Sequence, residues 1–233
     1  ASPERVRDEI YGVFAADNAY TGVRVLDETG ILSAVIPEIE QARGVSQPPN
    51  HHYWDVFEHS MHTVEKIDQI FGDITELEVD HPILEIPGTA DFPDYFGEEV
   101  GDGQTRATLL RLTSLLHDIG KPETKTISEE GKTQFLGHGE LGSEIVTDIL
   151  TRLRCSNSVI RHVSAMIYSH LRPGQISRDR AEPSHRAVYR YWRDMGSVAI
   201  DTVYLSFADY LAARGPRVIM SDWQAFCGVA GVI

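Results

Sequence analysis

Residues 115–122 read Leu-Leu-His-Asp-Ile-Gly-Lys-Pro. His117 and Asp118 set an imidazole beside a carboxylate at the end of an apolar helical run, and Gly120-Lys121 breaks the helix and adds a cation. Imidazole and carboxylate together ligate divalent metals. A cation next to them suits a phosphate. In a chain with 10 histidines a single His-Asp pair says little, so its meaning rests on what else the chain brings to it.

Four further residues on helices or at helix ends qualify: His59, His138, His170 and Asp209. Asp209 is an acid in an otherwise apolar helix, and burying a carboxylate without a cation is costly. His59, His117, Asp118 and Asp209 form a mixed set suited to Mn, Fe, Ni, Co, Zn or Mg, with positions left open for water. Adding His138 and His170 gives enough ligands for a second metal, with Asp118 able to bridge. Two metals about 3.5–4 Å apart clamp the attacking and leaving oxygens of a phosphoester displacement.

Lys121 and Arg172 are the cations for the phosphate, and His51 and His52 line the mouth. Asp118 and Lys121 are the expected catalytic groups. The chemistry is hydrolysis: metal lowers the pKa of bound water towards about 7, and metal and Lys121 draw charge from the phosphoryl oxygens. Each residue also has a plainer reading. His117 suits a helix C-terminus, Asp209 can pair with Arg214, and Arg172 can be a solvated cation. His62 lies at i+3 from His59, on roughly the same face, but no ligand is needed there. His81, His162 and His185 read as structural or solvated.

The elements that must position these residues are helical. Pro3 with Val6, Ile10 and Phe14 marks a first amphipathic helix. Short helices follow, broken at Gly30 and Pro37. After the loop Gln47-Pro48-Pro49-Asn50, Asp55 is the N-cap of the helix carrying His59. Residues 72–104 hold three prolines and read as a long acidic surface excursion, a solvated loop or a lid. Thr105 to His117 is apolar on much of its circumference and is expected as a buried central helix. Residues 124–136 read as a small β-hairpin. Helices are expected over Gly139–Arg154, Asn157–His170, Pro183–Met195 and Val198–Arg214, and from about Ser221, with Ser156 and Ser197 as caps. The sum is an all-α fold with one hairpin after the His-Asp helix.

The net charge of −14 argues against a nucleic-acid-wrapping surface, while leaving room for a nucleotide or an RNA end in a local site. The acid is concentrated: between Gly72 and Gly103 there are ten Asp or Glu residues and no Lys or Arg. No apolar run approaches the roughly 20 residues that span a bilayer. Cys155 and Cys227 are far apart and read as small buried apolar residues. A reducing, cytoplasmic setting is expected.

The pattern of His59, then His117-Asp118, then Asp209, all on helices, resembles that of the HD-domain metal-dependent phosphohydrolases. Gly120-Lys121-Pro122 and Gly137-His138 match an extended subset of that family. More narrowly, the chain is similar to the C-terminal HD region of bacterial tRNA nucleotidyltransferases and poly(A) polymerase-like proteins. Glu4 to Glu9 resembles their neck helix, Leu26 to Ile39 the segment before the HD core, and Ala212-Ala213-Arg214-Gly215-Pro216 its close. The resemblance implies an HD helical bundle over residues 47–233 preceded by a neck or body segment over 1–46. It also implies one or two divalent metals and a phosphohydrolase acting on a nucleotide or tRNA-end phosphate. No Gly-Gly-Ser with a spaced carboxylate pair occurs here, so nucleotide addition is not expected of these residues. The segment after Trp223 is shorter than in such proteins, as in a fragment or a free-standing HD protein. Two rival readings are a non-catalytic RNA-facing accessory domain, which the acidic charge disfavours, and a di-iron oxygenase using the same ligands.

Overall fold

The computed structural model describes residues 1–72, 86–87, 92–176 and 183–232. As expected, the fold is all-α with small strand pairs. Helix α1 (Pro3–Ala15), α2 (Ala19–Glu28) and α3 (Ile31–Val35) lead through a 3-10 turn, Pro37–Ala42, to α4 (Val56–Phe71). Asp55 caps α4, its side chain accepting the Glu58 N–H at 2.8 Å. The central helix α6 (Arg106–Leu116) is buried from Thr108 to Leu116. It packs between α4, α1 and α9 (Asn157–Ser169). α9 is capped by Ser156 and pairs with α8 (His138–Arg152). α10 (Arg172–Ile176), α11 (His185–Met195), α12 (Ala199–Arg214) and α13 (Met220–Ala230) complete the bundle.

One apolar core runs from Ile10 and Phe14 in α1, through α4 and α6, to Leu205 and Phe207 in α12 and Trp223 in α13. Two partly buried ion pairs brace it. Arg111 reaches Asp68 at 2.7 Å, tying α6 to α4. Arg106 meets Asp201 at 2.8 Å, and the Tyr95 hydroxyl donates to the same carboxylate at 2.6 Å. Among the described residues no helix is long and apolar enough to cross a membrane. Both cysteines are free thiols.

Several expectations are corrected. The solvated-loop reading fails for the end of the acidic excursion. There α5 (Phe92–Phe96) and an antiparallel pair, β1 (Glu99–Gly101) and β2 (Gln104–Thr105), lead into α6, and Phe96 and Ile86 are buried. Residues 73–85 and 88–91, His81 among them, lie outside the described residues. The helix break comes earlier than Gly120-Lys121: α6 ends at Leu116, and Lys121 opens a further short helix, α7 (Lys121–Thr124), with proline in its first turn. The hairpin itself is narrower than 124–136: β3 (Lys125–Ile127) pairs with β4 (Thr133–Phe135). Ser197 is no cap. It lies in a 3-10 turn, and α12 starts after Val198 without a side-chain cap.

Candidate metal centre

The structure brings together all six sequence-predicted ligands. His59 sits on the buried face of α4, His117 and Asp118 follow α6, His138 opens α8, His170 follows α9, and Asp209 lies on α12. Five of these side chains are almost fully buried, and Asp209 is the most exposed at 24%. They form two groups of donor atoms, His59 with His117 and Asp209, and Asp118 with His138 and His170.

Asp118 stands between the groups. Its Oδ2 is 3.4 Å from His59 Nε2 and 3.2 Å from His117 Nε2. Its Oδ1 is 3.5 Å from His138 Nε2 and 3.7 Å from His170 Nε2. Asp209 Oδ1 lies 3.0 Å from His59 Nε2. Nε2 faces Nε2 at 3.2 Å in the His59–His117 pair and at 3.1 Å in the His138–His170 pair.

The backbone fixes which nitrogen points inward. Nδ1 of His117, His138 and His170 each lies within 2.8 Å of the carbonyl oxygen three residues earlier: Ser114, Phe135 and Ile167. A carbonyl only accepts, so Nδ1 carries the proton and Nε2 keeps its lone pair for a metal. Local backbone makes this possible. Gly137 has φ +81°, a left-handed conformation that turns the chain from β4 into α8 and delivers His138. Gly120 packs against α8 so closely that a Cβ there would lie 2.4 Å from the His138 carbonyl oxygen.

The electrostatics of the metal-free site follow. Burial alone would raise the Asp118 carboxyl, but His117 and Lys121 outweigh it and hold the group well below the usual carboxylate range. Burial likewise opposes ionisation of Asp209, and His59 and His117 overcome it to hold Asp209 low. Burial keeps His170 neutral, down to about 3, and does the same at His52. His138 is lowered for the same reason. His117 is the exception: despite burial, Asp118 and Asp209 raise it. Asp118 Oδ2 meets the Lys121 ammonium, but the buried Asp118 Oδ1 and His59 Nδ1 have no hydrogen-bond partner among the described residues. Buried polar atoms left in this way are expensive unless a cation completes them. The donor set therefore fits a divalent metal.

The other candidates fall around this centre. Lys121 is buried, with Nζ 2.6 Å from Asp118 Oδ2 and donating to Gln47 Oε1 at 2.7 Å. A cleft of about 580 Å³ opens onto Asp209 and His170 and is lined by His51, His52, Gln175, Ser206 and Arg214, among others. His52 packs edge-on against the His59 ring, centroids 5.1 Å apart. Its loop is held to the end of α12 by Arg214 donating to the Asn50 carbonyl and by the Tyr53 N–H donating to Ala213 O. Arg214 thus does not pair with Asp209. Arg172 does not line the cleft; it pairs with Asp194 at 3.3 Å. His62 is stacked on Trp54 and bonded to Glu65, away from the ligands. His162 faces Asp201, and His185 is exposed.

Gln47, the partner of Lys121, escaped the sequence reading because a lone glutamine in a Pro-rich loop gives no signal. Asp201 escaped it too. It is a second buried acid in α12, so an acid in an apolar helix does not by itself single out Asp209. What separates them is company: Arg106 and Tyr95 neutralise Asp201, while Asp209 faces imidazoles.

The HD domain family model matches residues 56–214, and one described as the probable RNA and SrmB-binding site of polymerase A matches residues 1–43. The A-adding tRNA nucleotidyltransferase of Deinococcus radiodurans is 31% identical over 91% of this chain, and the CC-adding tRNA nucleotidyltransferase of Thermus thermophilus is 29% identical over 91%. The chain spans 40% of the length of each. The bifunctional uridylyltransferase/uridylyl-removing enzyme of Ruegeria pomeroyi is 27% identical over 89% of this chain and 20% of its own length. With a match over most of its length, reaching from the helix of His59 to that of Asp209, the chain belongs to the HD domain family.

Proposed function

We propose that this chain is a metal-dependent phosphohydrolase acting on a nucleotide or RNA-end phosphate, the tRNA end being the favoured case. The observation that carries it is Asp118, whose two carboxylate oxygens each face a pair of inward-pointing imidazoles. A divalent ion held there supplies Lewis acidity and an acidified water. His59, His117 and Asp209 would hold one ion, His138 and His170 the other, and Asp118 would join them. The Nδ1 bonds to backbone carbonyls hold the three rings in place before substrate arrives.

Lys121 adds positive charge beside the bridge, where a phosphoryl group gathers negative charge. Arg214 and His52 line the cleft through which the phosphate enters, and His52, kept neutral, offers hydrogen bonding without repelling a metal. The likeness to two tRNA nucleotidyltransferases supports an RNA-end substrate.

The test is metal analysis of the purified protein with a hydrolysis panel of 2′,3′-cyclic nucleotides, nucleoside monophosphates, dNTPs and a generic phosphodiester, each with several divalent metals. Hydrolysis of at least one class is expected. It should fall by more than about a hundredfold in His117→Ala and Asp118→Ala, since even residues behind a metal ligand matter 10–100-fold. Absence of metal together with activity that both variants retain would sink the reading. Activity that requires dioxygen would replace it with the oxygenase alternative.

A further inference from the structure

The surface of this acidic chain carries one feature that the metal centre does not use. On α11, Arg186, Tyr189, Arg190 and Arg193 recur at i, i+3, i+4 and i+7, so they share one face. All four are exposed, Tyr189 at 68%. Trp192 flanks them at 42% exposure. The opposite face anchors the helix: Tyr191 is buried and its hydroxyl donates to the Ala199 carbonyl at 2.6 Å. Arg186 and Arg190 form no ion pair among the described residues. A solvated helix face has no need of arginines interleaved with a large exposed ring in a protein of net charge −14.

The stripe also leads towards the site. Arg193 and Arg172 share Asp194, at 2.6 Å and 3.3 Å. Arg172 opens α10, two residues after His170, and Gly174 and Gln175 of α10 line the cleft. The Arg172 Nε is buried and has no hydrogen-bond partner among the described residues. Asp194, shared by Arg193 and Arg172, thus links the basic face to α10, which lines part of the cleft.

We propose that this face of α11 holds single-stranded RNA and guides its end into the cleft, an inference that rests on the RNA-end reading above. Arginines at helical spacing match backbone phosphates. An exposed tyrosine among them offers a stacking platform for an unpaired base, which a duplex cannot present.

The test uses the full chain in EDTA, so that metal chemistry plays no part, and follows the anisotropy of a labelled oligouridylate of about ten nucleotides. Arg186→Gln/Arg190→Gln should weaken binding at least about tenfold and reduce the slope of log K against log salt by about 1.4, or 0.7 for each lost phosphate contact. Tyr189→Ala should weaken it about 5- to 150-fold while leaving the slope unchanged. Circular dichroism and melting identical to wild type show that the variants fold. Affinity and slope unchanged in both variants overturn the proposal. So does equal competition by duplex RNA, or binding to phosphatidylserine vesicles without binding to RNA. Variant-sensitive RNA binding in a protein that hydrolyses nothing would sink the hydrolase and leave this surface standing. Hydrolysis of small nucleotides without such binding does the reverse.

Discussion

Asp118 joins two half-sites, and the residues around it are not equivalent. His59 and His117 face one of its oxygens, with Asp209 beside these two rings, while His138 and His170 face the other. A pair of ions sharing one carboxylate should respond unequally to mutation. Asp118→Ala is expected to lose both ions and His138→Ala only one, so that metal per chain falls from about two to about one, as in a two-metal site. Elemental analysis after desalting reads this directly. Equal loss from both variants would mean a single shared ion. These six candidate ligands are legible in the sequence because each is a polar residue in or beside an apolar helix, where burial leaves it in need of a partner. The cations are less so. Their neighbours in sequence point to Lys121 and Arg172 as the cations that neutralise a phosphate. In the fold Lys121 is buried against Asp118 and Gln47, Arg172 faces Asp194, and Arg214 lines the cleft instead. Which way a long side chain turns depends on tertiary partners that sequence spacing does not encode.

At the scale of elements, the ligands depend on how closely the His-Asp turn approaches α8. Gly120 has an ordinary helical φ of −82°, so its constraint is space and not conformation. An alanine Cβ would meet the α8 backbone, 2.4 Å from His138 O and 2.7 Å from Gly142 N, and neither atom can rotate away. Gly120→Ala must push the turn and α8 apart. It should cost about 1–3 kcal/mol or more, the usual range for overpacking. It should also weaken metal binding at the His138–His170 half before the other. Urea unfolding with metal titration checks both effects. Unchanged stability and unchanged affinity would show that the contact yields easily. The helices were readable from apolar spacing, and the caps Asp55 and Ser156 from residue type. Short elements were not. α7 is a single turn and β1–β2 a few residues, below the length at which periodicity forms a signal. Ser197 has the composition of a cap, but a 3-10 turn takes the chain into α12 without using it.

Across the whole molecule, burying so many titratable groups links stability to pH, and the sign can be worked out for the chelated protein. His52 and His170 are held down to about 3 by burial, and His138 is lowered too. In the unfolded chain each would protonate near 6.5. Below that value the unfolded state takes up protons that the folded state refuses. Their stabilising effect is therefore full above about pH 6.5 and lost as the pH falls towards 3. His117 works in the opposite sense. Its folded value is raised, so its contribution is present below 6.5 and lost as the pH rises through that raised value. Asp118 and Asp209 are both depressed from 3.8 and contribute above it, so they matter only at the acid end. Three lowered imidazoles act against one that is raised. The melting temperature of the chelated protein should therefore fall as the pH drops from about 7 to about 5. His170→Asn, which removes a group that must stay neutral, should flatten that fall. Bound metal should steepen it, because protons and metal compete for the same Nε2 atoms. Scanning calorimetry across that range, with and without chelator, makes the measurement. A melting temperature that rises on acidification would mean that His117, and not the buried neutral histidines, governs the linkage.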